Sequence, residues 1–146
     1  MKTYELYLIQ EDIAKAYFGR EYLFFDLFAR FSESGSLSEK KVLYKQMMYI
    51  TMPLQVMKIH HKLEQALRSV GKYKRIHHTH ILSTGAEYGE ITVKSQYIQM
   101  NTFGNVSMET TFFEVLRKCE LTFLAMDYEN KKYGWLNPLK QARTYV

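Results

Sequence analysis

The sequence predicts an α+β fold, a mostly antiparallel sheet with helices packed on it. Two observations carry that prediction. After one opening strand the first half runs in helical period. The second half then shifts to β-branched and aromatic stretches, with Gly85 and Gly89 between them. No internal repeat, low-complexity tract or Gly/Ser-rich linker interrupts the chain, so residues 1–146 are expected to form a single domain with the helices grouped on one side of the sheet.

Thr3 to Ile9 alternates loosely and carries Thr, Tyr, Leu and Ile, which predicts the first strand. A long helix is expected from about Glu11 to Phe31, opening on Glu11 and Asp12, which suit the positive end of a helix dipole. Ser36-Leu37-Ser38-Glu39 fits a capping box, in which Ser36 caps the backbone and Glu39 reaches back, and starts a second helix running to about Thr51. Pro53 suits the first turn of a third helix, where its missing N–H leaves nothing unpaired, and that helix stops by Gly71. Ile76 to Ser83 and Glu90 to about Met100 predict strands, ended by Gly104-Asn105. Ser107 to Lys118 predicts a fourth helix, with Glu109 near its start and Arg117 and Lys118 at its end. Leu121 to Tyr128 and Lys132 to Leu136 then form a hairpin across Glu129-Asn130-Lys131.

Composition narrows the function classes. A 47% hydrophobic and 15% aromatic chain is not disordered. A lone Cys119 forms no internal disulfide and no multi-cysteine zinc module. Apolar runs such as Tyr22 to Phe25 fall far short of the roughly 18 residues of a membrane span. Met1–Ile9 mixes Lys2, Thr3 and Glu5 into its apolar residues, so no signal peptide is expected there. The expectation is a soluble, cytoplasmic protein without membrane contact. A net charge of +5 permits nucleic-acid binding, but Lys and Arg are scattered, the densest groups being Lys72-Tyr73-Lys74-Arg75 and Lys40-Lys41.

The first predicted helix carries more apolar surface than one core contact uses. At about 100° per residue, Asp12, Lys15, Gly19, Asp26 and Arg30 fall on one narrow polar arc. The apolar remainder covers well over half the circumference. Ile13, Tyr17 and Arg20 share one face at i, i+4, i+7, with Phe24 continuing it. Either the next two helices cover this face and Arg20 pairs with a carboxylate, or the face meets a partner. An aromatic, an aliphatic and an arginine around one spot is the residue mix of interface hot spots.

Catalytic and metal signals are weak. His77, His78 and His80 fall on one predicted strand, and His60 and His61 diverge on a helix. No carboxylate or cysteine stands at a recognised ligand spacing from them, so a solvated strand of histidines is expected rather than a metal site. Arg117 and Lys118 beside Cys119 could lower its pKa, but no base is placed by the sequence. Walker, dinucleotide and GxSxG motifs are missing from the sequence. The chain does not read as an enzyme, and no cofactor is expected. Binding is the function class that remains, to a protein or, through strand aromatics such as Tyr88 and Tyr97, to nucleic acid.

Four motifs carry a resemblance. Tyr17-Phe18-Gly19-Arg20-Glu21, Phe112-Phe113-Glu114-Val115-Leu116-Arg117-Lys118, Phe123-Leu124-Ala125-Met126-Asp127 and Tyr133-Gly134-Trp135-Leu136-Asn137-Pro138 resemble the SirA family, sporulation inhibitors of replication in endospore-forming bacteria. The match covers the first half and the last forty residues in the same order. The resemblance implies a binding protein that engages the N-terminal domain (domain I) of the replication initiator DnaA and restrains initiation as a cell commits to sporulation. It places the contacts on the first and second helices, at Ile13 and Tyr17 and at Gln46 and Tyr49. The family tends to carry an aromatic where this chain has Ile13. Arg20 joins these on the helical face described above. Trp135, Phe113 and Leu116 are expected to be scaffold, and Pro138 could lie at an interface rim.

Overall fold

The computed structural model describes residues 1–139. β1 (Lys2–Ile9) is followed by α1 (Glu11–Ala16), α2 (Tyr22–Glu33), α3 (Leu37–Ile50) and the short β2 (Thr51–Met52). Then come α4 (Val56–Leu67), β3 (Lys72–Ile76), β4 (Thr79–Thr84), β5 (Glu87–Val93), β6 (Tyr97–Phe103), α5 (Val106–Leu116), β7 (Phe123–Asp127) and β8 (Lys132–Trp135). The strands form one sheet in the order β3-β4-β5-β6-β1-β7-β8, with β2 pairing the end of β1, and every pairing is antiparallel. The fold is α+β, as the sequence predicts.

β1 lies between β6 and β7 and feeds both faces of the sheet. Tyr4, Leu6 and Leu8 point into one core with Ile59, Leu63 and Leu67 of α4 and Met108, Phe112 and Leu116 of α5. Tyr7 and Ile9, one residue out of phase, point into a second core with Ala14 of α1, Phe24 and Phe28 of α2 and Met47 of α3. The expectation of helices on one side is therefore corrected to helices on both. The physical reason is visible in β7, whose residues Phe123 to Asp127 are all buried because each face is covered.

Local boundaries differ from the sequence reading in four places. The long helix from Glu11 is broken between Tyr17 and Glu21, where Gly19 takes φ +83° and turns the chain. Ser36 accepts from the Glu39 backbone N–H at 3.3 Å, but the Ser36 N–H goes to the Ser34 hydroxyl, so only half of the capping box forms. Pro53 precedes α4 instead of entering it, because Thr51 and Met52 are held extended against β1 and the Leu54 N–H bonds to Ser95 O at 2.9 Å. Each of the two long strands folds into a hairpin: His77 at φ +54° turns β3 into β4, and the Lys94 N–H closes on Tyr97 O at 2.9 Å between β5 and β6.

Gly89 shows how closely α5 sits on the sheet. A Cβ built there would lie 2.5 Å from Phe112 Cε2 and 2.7 Å from Met108 Cγ, so the absent side chain sets the depth of the helix.

Candidate functional site

On the helical layer formed by α1, α2 and α3, a groove of about 480 Å³ is lined by Tyr17, Leu23, Phe24, Leu27, Lys45, Gln46, Tyr49 and Ile50. Leu23 and Leu27 are one turn apart on α2, and Lys45, Gln46 and Tyr49 form one stripe of α3. Phe24 is the buried floor, at 3% exposure, while Tyr49 stands at the rim with 77%. The groove is open and its lining is mostly apolar.

Its walls are fixed by a set of hydrogen bonds, most of them to backbone groups. Gln10, at the corner between β1 and α1, donates its side-chain amide to Tyr49 O at 2.8 Å and its backbone N–H to Ile50 O at 2.9 Å. Thr51 Oγ1, buried at the end of α3, donates to Met47 O at 2.8 Å. The backbone beneath Tyr49 is therefore pinned while its ring remains in solvent. On the other wall, the break at Gly19 aims Tyr17 back over α2, where its ring centroid lies 5.4 Å from that of Phe24. The Arg20 guanidinium lies 4.9 Å over the Tyr17 ring and donates to Ala16 O at 3.1 Å. Glu21 accepts from the Gly19 N–H at 3.1 Å and from Trp135 Nε1 at 3.2 Å, which ties the corner to β8. Burial pushes the Glu21 carboxyl upward, but hydrogen bonds from its own backbone N–H, Gly19 and Trp135 prevail and hold it below the ordinary range.

Of the residues the sequence singles out, Tyr17, Gln46 and Tyr49 are brought together in the groove. Arg20 is exposed beside them, stacked on Tyr17. The face it was expected to share with Ile13 by unbroken helical spacing does not exist, since α1 ends at Ala16. Ile13 is half-buried against the second core and lies outside the groove lining. Leu23, Leu27, Lys45 and Ile50 complete the lining and were not singled out as site residues. The signal for Leu23 and Leu27 was the apolar excess of the first predicted helix, whose α2 part leaves Tyr22 and Leu23 exposed at 50% and 39%, whereas Lys45 and Ile50 lie on α3 and had no such signal. The scaffold residues behave as expected: Leu116 is fully buried, and Trp135 and Phe113 pack against the two cores.

Three other sequence features find different settings. Of the histidines expected on one solvated strand, His77 and His78 are exposed but His80 is fully buried, and His60 on α4 is buried with it at 2% exposure. Among the described residues no group of three or more His, Cys, Asp or Glu is placed to hold a metal ion. Cys119 is buried and burial pushes its thiol up, against the smaller opposing pull of Lys62 and Lys58, so neighbouring Arg117 and Lys118 do not activate it. Tyr97 is not a free stacking platform, because it stacks on Tyr7 at 5.0 Å and 15°. Among the described residues no helix is long and apolar enough to cross a membrane.

Fold and groove together define an α+β protein with helices on both faces of an antiparallel sheet and an open apolar groove on one helical layer. Comparison with known proteins agrees with the motif resemblance. A family model described as sporulation inhibitor of replication protein SirA matches residues 2–140. A protein of Bacillus subtilis (strain 168) with that same description is 37% identical over 148 residues, covering 99% of each chain. The chain belongs to the SirA family.

Proposed function

We propose that this chain is a regulatory binding protein that inhibits replication initiation, acting on domain I of DnaA through the groove between α2 and α3. The observation that carries the reading is that Tyr17, Gln46 and Tyr49, from separate parts of the chain, line one apolar groove with Leu23, Phe24, Leu27 and Ile50. Family membership supplies the biological role.

The mechanism is steric. A projection on the partner fills the groove and loses to this protein any surface that other assembly factors need. Tyr17 is the anchor: a rigid ring buries area at little entropic loss and keeps a hydroxyl for a rim hydrogen bond. Its orientation is set in advance by Phe24 beneath and Arg20 above, so little ordering remains for the moment of binding. Tyr49 closes the other side. Gln46 offers a donor and an acceptor between them. Lys45 is the charged group of the lining, so the partner's rim is expected to be acidic or neutral there.

Titration calorimetry of the full chain against isolated DnaA domain I tests the assignment. Saturable one-to-one binding, little weakened by moderate salt, is the expected result. Absence of heat and of complex at high micromolar concentration removes the partner from the proposal.

A further inference from the structure

Behind the sheet from the groove, four side chains from three elements and the turn between two of them form a continuous hydrogen-bonded chain. Tyr73 Oη of β3 lies 2.7 Å from His80 Nδ1 of β4, and His80 Nε2 lies 2.7 Å from His60 Nδ1 of α4. His60 Nε2 in turn lies 3.1 Å from Nδ1 of His78, which is exposed in the β3–β4 turn. His60 uses both ring nitrogens on different partners, so one metal ion cannot gather the three rings. The chain runs instead from a half-buried tyrosine through two buried rings to solvent.

Its links count protons. With each ring neutral, every link is satisfied in either direction: Tyr73 donates inward and each Nε2–H donates onward, or His78 Nδ1–H starts the chain and Tyr73 accepts at its end. One added proton on His78 is accommodated, because its Nδ1–H then donates to His60, His60 Nδ1–H to His80, and His80 Nδ1–H to Tyr73. A second proton, on His60 or His80, leaves two N–H groups facing each other across one link. Charge also accumulates near Arg75, which already pairs with Glu64 of α4 at 2.7 Å and donates through Nε to His77 O at 2.7 Å.

We propose that the His78–His60–His80–Tyr73 chain is a proton-operated latch that holds the β3–β4 edge of the sheet on α4 and loosens it when a second proton enters. The titratable and charged groups facing it are Glu64 on α4, with Arg68 reaching Glu64 at 4.0 Å, Tyr73 and Arg75 on β3, and His78 in the turn. From β5 the residue opposite His80 is the apolar Ile91. The direction of the effect follows. Burial, then His60 and Arg75, push the His80 ring from 6.5 down to about 4, and burial, then Arg75 and His78, lower His60 as well. The open state therefore binds more protons than the closed one. Stability is complete above about pH 6.5 and is lost as the pH falls toward 4.

Amide hydrogen exchange of the full chain between pH 7 and 5, corrected for intrinsic rates, tests this. Below about pH 6.5 the opening equilibrium of β3 and of α4 is expected to rise as the pH falls, approaching about tenfold per pH unit for each ring that gains a proton on opening, while β1 and β7 change little. A uniform change, or none at β3 and α4, overturns the latch. His60→Leu with His80→Leu removes the titrating rings and is expected to flatten the slope. If that variant does not fold, ring resonances of the unmodified protein decide. Two of the five histidines, His60 and His80, are expected to titrate below the ordinary value, His80 the further, and all five titrating together overturns the proposal.

Discussion

Gln10 donates its side-chain amide to the carbonyl oxygen of Tyr49 at 2.8 Å, across 39 residues of sequence, and so joins the corner after β1 to the last turn of α3. This bond touches neither the apolar lining nor the Tyr49 ring, yet it sets where that ring stands. It links the central strand of the sheet to the rim of the groove.

Replacing Gln10 with Ala removes that bond and loosens the last turn of α3, which keeps the Gln10 N–H to Ile50 O bond and the Thr51 bond to Met47 O. The expected loss of stability is about 1 kcal/mol, the net value of one such hydrogen bond. Affinity for DnaA domain I is expected to fall several-fold, since Tyr49 must then be ordered on binding. Denaturant unfolding and calorimetry on the same variant separate the two effects.

Gly19→Ala tests the corner that replaces the long helix. A Cβ there meets nothing within 4 Å, so any loss comes from the left-handed backbone at φ +83° alone. We expect about 1 kcal/mol of destabilisation in urea unfolding. A neutral result would mean that the Tyr17–Arg20 turn relaxes without it.

Gly89→Ala is expected to do more harm by a different route. Its Cβ would enter the space of Phe112, a fully buried ring, at 2.5 Å. Overpacking of this kind costs about 1–3 kcal/mol. The readout is a lowered melting temperature, with binding at the groove retained in whatever fraction remains folded.

Cys119 provides a test of the thiol. Its sulfur donates to Val115 O at 3.5 Å within the first core, and burial raises its pKa. Labelling by a disulfide reagent at pH 8 is expected to run at least about tenfold slower in the native protein than in denaturant. Rapid native labelling would restore a reactive-thiol reading.

The sequence made the order of helices and most strands legible because Gly104-Asn105, Ser36 and the period change at Ile76 are local signals. It hid the two hairpin turns, since His77-His78 and Ser95-Gln96 contain none of the usual Gly, Pro or Asn-Gly markers. The break at Gly19 was masked by apolar residues that keep helical spacing on both sides, and a glycine inside a helix is tolerated often enough to pass. Which face each helix covers depends on crossovers that no single segment encodes. The buried state of His60 and His80 was illegible for a related reason: the rings satisfy each other across 20 residues, a pairing set by how α4 lies on β4. Tyr17 came forward through helical spacing as well as the family resemblance, Gln46 and Tyr49 through the resemblance alone. Leu23, Leu27, Lys45 and Ile50 needed the α2–α3 packing to be seen as part of the same groove.

The central claim is that the groove, and not the fold around it, makes the contact with DnaA domain I. The most direct test compares Tyr49→Ala and Tyr17→Ala with the unmodified chain in calorimetric affinity and in melting temperature. Tyr49 is so exposed that its truncation is expected to leave the melting temperature unchanged. Tyr17→Ala loses the Phe24 contact and is expected to destabilise by about 1 kcal/mol. Each is expected to weaken binding by about 2 kcal/mol or more, roughly thirtyfold. Binding that stays within about twofold in both variants, with the fold intact, would contradict the account and move the contact to another surface.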